Sequence, residues 1–248
     1  MSPAPRWAYV LLDRPAALSG PAHRFWTAVT GTTLSELRGE RGEFTTLLAG
    51  SGDASVKAQG VLSGPGGAHL DLCVTDVGGF ARDAVRLGAE VVLDAGSLVV
   101  LRSPGGQPWC AVQWNGEAVR APVVHGTRLD QICLDVPPSR FDAEVAFWSA
   151  LLPDWESRAG SRPEFRVLAP PPGFLVRVLL QRLDDDGPGG AHPDLACADV
   201  DATRAAHERL GARVVARHPH WTVMRDPAAG TYCLTGRDPE TGGLPATR

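Results

Sequence analysis

Polar and apolar residues alternate from 129 to 136. Ile132, Leu134 and Val136 fall on one side and Gln131, Cys133 and Asp135 on the other, the period of a strand. The period then lengthens. Val145, Trp148, Ser149 and Leu152 recur at helical spacing, so 142–152 predicts a helix. Residues 165–168 and 174–183 read as strands separated by the Pro170-Pro171-Pro172-Gly173 turn. After Asp186-Gly187-Pro188-Gly189 the pattern restarts, with a strand over 195–199 and a helix that Asp201 opens and Gly211 stops. Strands follow at 212–217, 221–225 and 231–235. In the first half, helices are expected near 20–30 and 79–87, and 115–127 reads as a linker.

The two halves repeat each other. HLDLCVTDV at 69–77 answers HPDLACADV at 192–200, an offset of 123, and Leu87-Gly88-Ala89 returns as Leu210-Gly211-Ala212 at the same offset. Phe25-Trp26 returns as Phe147-Trp148 at 122, and Glu43-Phe44 as Glu164-Phe165 at 121. A nearly constant offset with single-residue drifts is the mark of duplication followed by small loop insertions. Each half is therefore β-α-β-β-β twice over.

Composition narrows the partners. At 248 residues, one or two domains can each bury a core. A net charge of −4 offers no basic field for nucleic acid or anionic lipid. No apolar run reaches the roughly 18–20 residues of a membrane helix, and Ala8 to Leu12 is too short for a secretory signal, which leaves the cytoplasm as the expected compartment. Five cysteines, none in a CxxC pair, support neither a disulfide framework nor a zinc ribbon. Phosphate-loop, nucleophile-elbow and HExxH motifs are absent from the sequence.

The segments FWSALLPDW (147–155), HPDLACADVDATRAAHERLGARVV (192–215) and WTVMRDPAAGTYCL (221–234) resemble the vicinal oxygen chelate superfamily. So do their first-half counterparts FWTAVTG (25–31), HLDLCVTDVGGFARDAVRLGAEVV (69–92) and VVLRSPGGQPWCAVQW (99–114). That superfamily includes glyoxalase I, bleomycin-resistance proteins and extradiol dioxygenases, and the likeness is to its glyoxalase-like and bleomycin-resistance-like side. The resemblance implies an α+β fold of two tandem glyoxalase-like domains, 1–118 and 119–248, each of two βαβββ modules curled into an open cupped barrel.

Metal-dependent members hold a divalent ion on first and last strands of paired modules. By resemblance those positions fall on Gln131, Gln181, His192 and Cys233 in the second half, and on Tyr9, Gln59, His69 and Cys110 in the first. The acidic ligand usual on the last strand is cysteine in both. A hard cation seeks carboxylate oxygens, so no metal and no other cofactor is expected; a soft divalent metal is the lesser alternative. Asp71 and Asp194 follow their histidines by two residues and so share a strand face with them. Such a pair suits a polar ligand contact or a general base. Arg177 and Trp221 add charge and an aromatic platform to the second half, where Leu98 stands as the first-half counterpart of Trp221.

The expected ligand site is therefore Gln131, Arg177, Gln181, His192, Asp194, Trp221 and Cys233, with a weaker one at Tyr9, Gln59, His69, Asp71 and Cys110 and no catalytic residue assigned. Enclosure of a small planar or hydrophobic molecule ranks first. A lyase-, isomerase- or dioxygenase-like enzyme, using a soft metal or a His–Asp pair, comes second, and a scaffold with filled cavities third. Four modules in one chain favour a monomer over a homodimer.

Overall fold

A computed structural model describes residues 4–64, 66–174 and 176–244; Leu175 of the expected 174–183 strand lies outside the described residues. The first module runs β1 (Trp7–Pro15), α1 (Ser19–Thr30), β2 (Thr32–Leu34), β3 (Phe44–Ala49) and β4 (Val56–Val61). The second runs β5 (Gly67–Val74), α2 (Val77–Arg86), β6 (Glu90–Asp94), β7 (Leu98–Arg102) and β8 (Pro108–Gln113). The third is β9 (Thr127–Val136), α3 (Phe141–Leu151), β10 (Glu156–Ala159), β11 (Phe165–Ala169) and β12 (Arg177–Arg182). The fourth is β13 (Gly190–Cys197), α4 (Val200–Arg209), β14 (Arg213–Arg217), β15 (Trp221–Arg225) and β16 (Thr231–Thr235).

The strands form two eight-stranded sheets in the orders β2-β3-β4-β1-β5-β8-β7-β6 and β10-β11-β12-β9-β13-β16-β15-β14. Each is an open, curved sheet with two edges, the α+β arrangement expected. Short loops make the outer neighbours antiparallel, whereas β5–β8 and β13–β16 pair in parallel because a helix and two strands intervene.

Local chemistry sets the helix ends. Asp199, two residues before the expected start, caps α4 by accepting the Ala202 N–H at 2.9 Å, and Asp76 caps α2 through the Gly79 N–H at 2.8 Å. Gly88 and Gly211 follow these helices at φ of 105° and 95°, which a side chain rarely tolerates.

Contacts gather the chain into two compact units. One holds Met1–Val10, His69–Ala118 and Ile132–Ala191; the other holds Leu11–Ala68, Val119–Gln131 and His192–Arg248. In the first unit Trp148 of α3 packs on Trp109 of β8 with centroids 5.5 Å apart, and Trp109 meets Phe80 of α2 edge-on. In the second unit Trp26 of α1 meets Tyr232 of β16 at 5.3 Å, and Phe25 meets His207 of α4 at 5.6 Å. Trp26 and Trp148 are thus the buried helix anchors their position predicts.

Each unit buries one carboxylate under its tryptophan. Asp226 Oδ2 accepts the Trp26 indole N–H at 2.9 Å and Arg14 Nε at 2.7 Å; its Oδ1 accepts the backbone N–H of Ala228 and Gly230. In the other unit Glu144 Oε1 accepts Trp148 Nε1 at 2.8 Å and the Ser103 hydroxyl at 2.6 Å, and Oε2 accepts the Gly105 N–H at 2.6 Å. Burial pushes the Glu144 carboxyl above its ordinary range, against the opposing pull of these donors.

Candidate functional site

Strand periodicity brings four expected residues together in the second unit. Asp194 of β13 lies directly opposite Cys233 of β16, so both face the same side of the sheet, and His192 is two residues back on that side. Tyr232, next to Cys233, points the other way to meet His207 of α4. Gln131 of β9 joins the set through its side chain. Gln131, His192, Asp194 and Cys233 are all buried, at 2–8% exposure.

The polar atoms form one chain of hydrogen bonds. His192 Nδ1 lies 2.9 Å from Asp194 Oδ1, and Gln131 Nε2 donates to Asp194 Oδ2. Because a carboxylate only accepts, the proton sits on Nδ1 and the basic nitrogen of the imidazole is Nε2. Gln131 Oε1 in turn accepts Arg237 NH1 at 2.7 Å, and Arg237 NH2 is ion-paired with Asp130. The sequence Asp130–Arg237–Gln131–Asp194–His192 therefore fixes the imidazole's orientation and tautomer. A histidine held in this way can accept a hydrogen bond or a proton at Nε2, with Asp194 stabilising the imidazolium that forms.

Trp221 of β15 is half-buried. It shares the face of Cys233, because Val223 lies opposite Cys233 and Trp221 is two residues along the same strand. His218 stacks on its ring at 4.3 Å with the planes 15° apart, which extends the aromatic platform.

The remaining expected residues belong to the first unit or stand apart. Arg177 and Gln181 alternate on β12, half-buried, with Gln181 Oε1 3.7 Å from the Cys133 thiol and opposite Phe165. Asp71 of β5 lies opposite Cys110 of β8, as in the other sheet, but His69 Nε2 is 3.6 Å from Asp71 Oδ1, beyond hydrogen-bond length. Tyr9 donates to Glu117 Oε1 at 2.6 Å. Gln59 sits on β4, in the second unit, opposite Phe44. The two His–Asp pairs are therefore unlike in geometry although their sequences match.

Arg237 and Asp130 were not foreseen as site residues. Arg237 lies beyond the last strand, and its counterpart 123 residues earlier is Trp114; Asp130 answers Ala8 at 122. The signal in the sequence is this charge difference between repeats.

The donor set can be tested against a metal. His, Asp and Cys ligand atoms lie within 4.8 Å of one another both at His192/Asp194/Cys233 and at His69/Asp71/Cys110. A hard ion does not fit the second-sheet position. Both amide ends of Gln131 and both oxygens of Asp194 are engaged in hydrogen bonds, and a guanidinium bonds the Gln131 oxygen that would have to face the cation. All five cysteines are buried thiols, none in a disulfide. Burial pushes the Cys197 thiol up to about 12, which keeps it protonated.

A sequence model of the glyoxalase-like domain matches residues 9–112 and again 131–235. No curated protein matches the sequence. Among solved structures, the chain aligns over 99% of its length with the Mn(II)-bound glyoxalase from Novosphingobium aromaticivorans, at 14% identity and TM-score 0.63, covering 88% of that protein. It aligns over 100% of its length with the 2,3-dioxygenase LapB from Pseudomonas sp. KL28, at 13% identity and TM-score 0.63, covering 96%. It also matches a xylose isomerase-like TIM barrel/4-hydroxyphenylpyruvate dioxygenase fusion protein at 12% identity and TM-score 0.65, and there it spans 51% of the larger chain. At such identities these likenesses establish the fold alone. No described helix is long and apolar enough to cross a membrane.

Proposed function

The chain belongs to the glyoxalase-like domain family, in two tandem copies, and from that premise we propose that it binds a small planar organic molecule at the second sheet without a resident metal. The observation that carries this reading is the chain of bonds from Asp130 to His192. It commits Gln131 and His192, two of the four chelate positions, to Asp194 and Arg237 and leaves the imidazole in one defined tautomer on the sheet face that also carries Trp221. A phenol or carboxylic acid would place its acidic hydrogen at His192 Nε2; Trp221 lies on the same face but two strands across and four residues farther along, opposite Thr235, so only an elongated planar ligand would also reach its ring. In this reading the first sheet is mainly structural, because Ala8 and Trp114 stand where the second sheet has Asp130 and Arg237 and cannot supply the charged end of the relay. We place the protein in the cytoplasm.

The test begins with elemental analysis of protein purified without affinity tag or chelator. Less than a tenth of an equivalent of any transition metal is expected, and none taken up on zinc titration. A thermal-shift screen of aromatic acids and phenols should then give a ligand that raises Tm. At a hundred times Kd the stabilisation is about 2.7 kcal/mol. His192→Ala should abolish that rise and His69→Ala should leave it. The reverse pattern would overturn the assignment.

A second reading rests on the compact His192/Asp194/Cys233 trio, whose imidazole, carboxylate and thiol suit a soft ion such as zinc. Binding there would require Asp194 to release Gln131 or His192. Near one equivalent of zinc, nickel, iron or cobalt per chain would favour this reading and a lyase-, isomerase- or dioxygenase-like activity.

A further inference from the structure

The outer edges β6 and β14 end the two sheets, and each pairs on one side only in the strand order. They are repeat counterparts, 123 residues apart, with opposite charge. β6 reads Glu90-Val91-Val92-Leu93-Asp94 and β14 reads Arg213-Val214-Val215-Ala216-Arg217. All five residues of β6 are exposed, with Val91, Val92 and Leu93 at 50–54%, and so are Arg213, Val215 and Arg217 of β14. In each strand a register shift at the central valine, Val92 or Val215, leaves that residue outside the pairing with the inner strand.

Exposed apolar edges invite pairing, and charges at their ends decide with what. Antiparallel pairing of β6 with a second β6 would set Glu90 against Asp94, and β14 with itself would set Arg213 against Arg217. Both put like charges opposite each other, which is destabilising. Pairing of β6 with β14 sets each carboxylate against a guanidinium in either strand direction. Arg217 has a contact of its own chain, Asp201 at 3.9 Å, but both side chains are more than half exposed, so this pair is weak and exchangeable. The remaining edges show no such match: β2 carries no charge, and on β10 Arg158 lies 3.9 Å from Glu156 of the same strand.

We propose that β6 of one molecule docks on β14 of a second copy of this chain, extending one sheet into the other. The contact is heterologous, so copies join through successive β6–β14 contacts or close into a ring, of which a reciprocal dimer is the smallest. Five-residue strands and surface ion pairs make it a weak contact that salt suppresses.

Sedimentation velocity over a wide concentration range tests this. At about 0.01 M ionic strength the weight-average mass should rise with concentration above that of the monomer, and the rise should be largely lost by about 0.15 M, where screening shortens from about 30 Å to about 8 Å. Glu90→Arg with Asp94→Arg should sediment as a monomer, and so should Arg213→Glu with Arg217→Glu. Circular dichroism should show both folded, since every changed residue is exposed. Mixed in equal amounts, the two variants should associate again, because each then meets an edge of opposite sign. A wild type that stays monomeric at low salt, a single variant that still associates, or a mixture that does not, would each overturn the proposal.

Discussion

Replacing Arg14 with methionine should cost the fold about 3–5 kcal/mol, the usual loss when one partner of a buried ion pair is removed. Arg14 and Asp226 have side-chain exposures of 2% and 0%. The arginine's Nε neutralises the carboxylate, while NH1 donates to the carbonyls of Asp13 at 2.7 Å and Gly67 at 2.5 Å. Methionine fills the volume of the stem but leaves a buried charge and two carbonyls without that donor. The loss should appear as a lower urea midpoint with an unchanged slope. Converting Asp226 to serine in the same chain removes the stranded charge, and serine is what the first repeat carries at that turn, as Ser103. The double variant should therefore be more stable than the sum of its parts by about 1–3 kcal/mol. Strict additivity would mean that Arg14 and Asp226 are not energetically coupled. Gly230 belongs to the same device: a Cβ there would lie 2.0 Å from the Arg14 guanidinium carbon, so Gly230→Ala should be harmful with Arg14 present and much less so without it.

The repeat was plain in the sequence, yet it concealed how differently the two units meet the same requirement. The carbonyls of Asp13 and Gly67 have counterparts at Asp135 and Gly190, and there it is Gln107 Nε2 that donates, at 2.9 and 2.8 Å. Gln107 is the counterpart of Gly230. One unit thus sends an arginine from the first strand over a glycine, and the other sends a glutamine from the glycine's own position. The buried carboxylate moves in step, from the turn at Asp226 to the helix at Glu144. No period or offset announces such an exchange, because it is a packing solution shared between segments far apart in sequence.

Strands with a buried face were legible for the same reason that the site was. Alternation at period two places His192 with Asp194, whereas Cys233 joined them in the sequence only through the family resemblance. The short edge strands β2 and β10 were not placed individually, since ESRA and TTL bury no side and therefore carry no alternation. Strand β13 also begins at Gly190 rather than 195, which puts His192 inside the sheet instead of at its mouth. Arg237 escaped notice because it acts from beyond a strand end, where side-chain direction has no period at all. Its effect on the site is nonetheless large: it turns the amide of Gln131 so that the nitrogen meets Asp194.

Acid should unfold this protein partly through one histidine. His207 is 4% exposed between Phe25 and Tyr232, and burial pulls its pKa from 6.5 down to about 4. Its Nδ1 lies 3.0 Å from the Tyr232 hydroxyl, and burial raises the pKa of that phenol, so the tyrosine donates and the imidazole accepts as a neutral ring. Between pH 6.5 and 4 the unfolded chain therefore binds a proton that the native chain refuses. The contribution is fully present above pH 6.5 and falls as pH drops, by about 3 kcal/mol at pH 4. Glu144 works in the opposite direction, since a carboxyl whose pKa is raised in the fold gains stability as pH falls towards its ordinary value. A pH scan of the wild type alone would mix the two. His207→Gln keeps an acceptor for the tyrosine but cannot titrate. It should be less stable than wild type at pH 7.5 through lost ring packing, and the gap should shrink or reverse by pH 4, with the whole change close to 3 kcal/mol by urea unfolding. Parallel stability curves for the two proteins would mean that His207 is protonated as readily in the fold as outside it, and that its neighbours reorganise to solvate the charge.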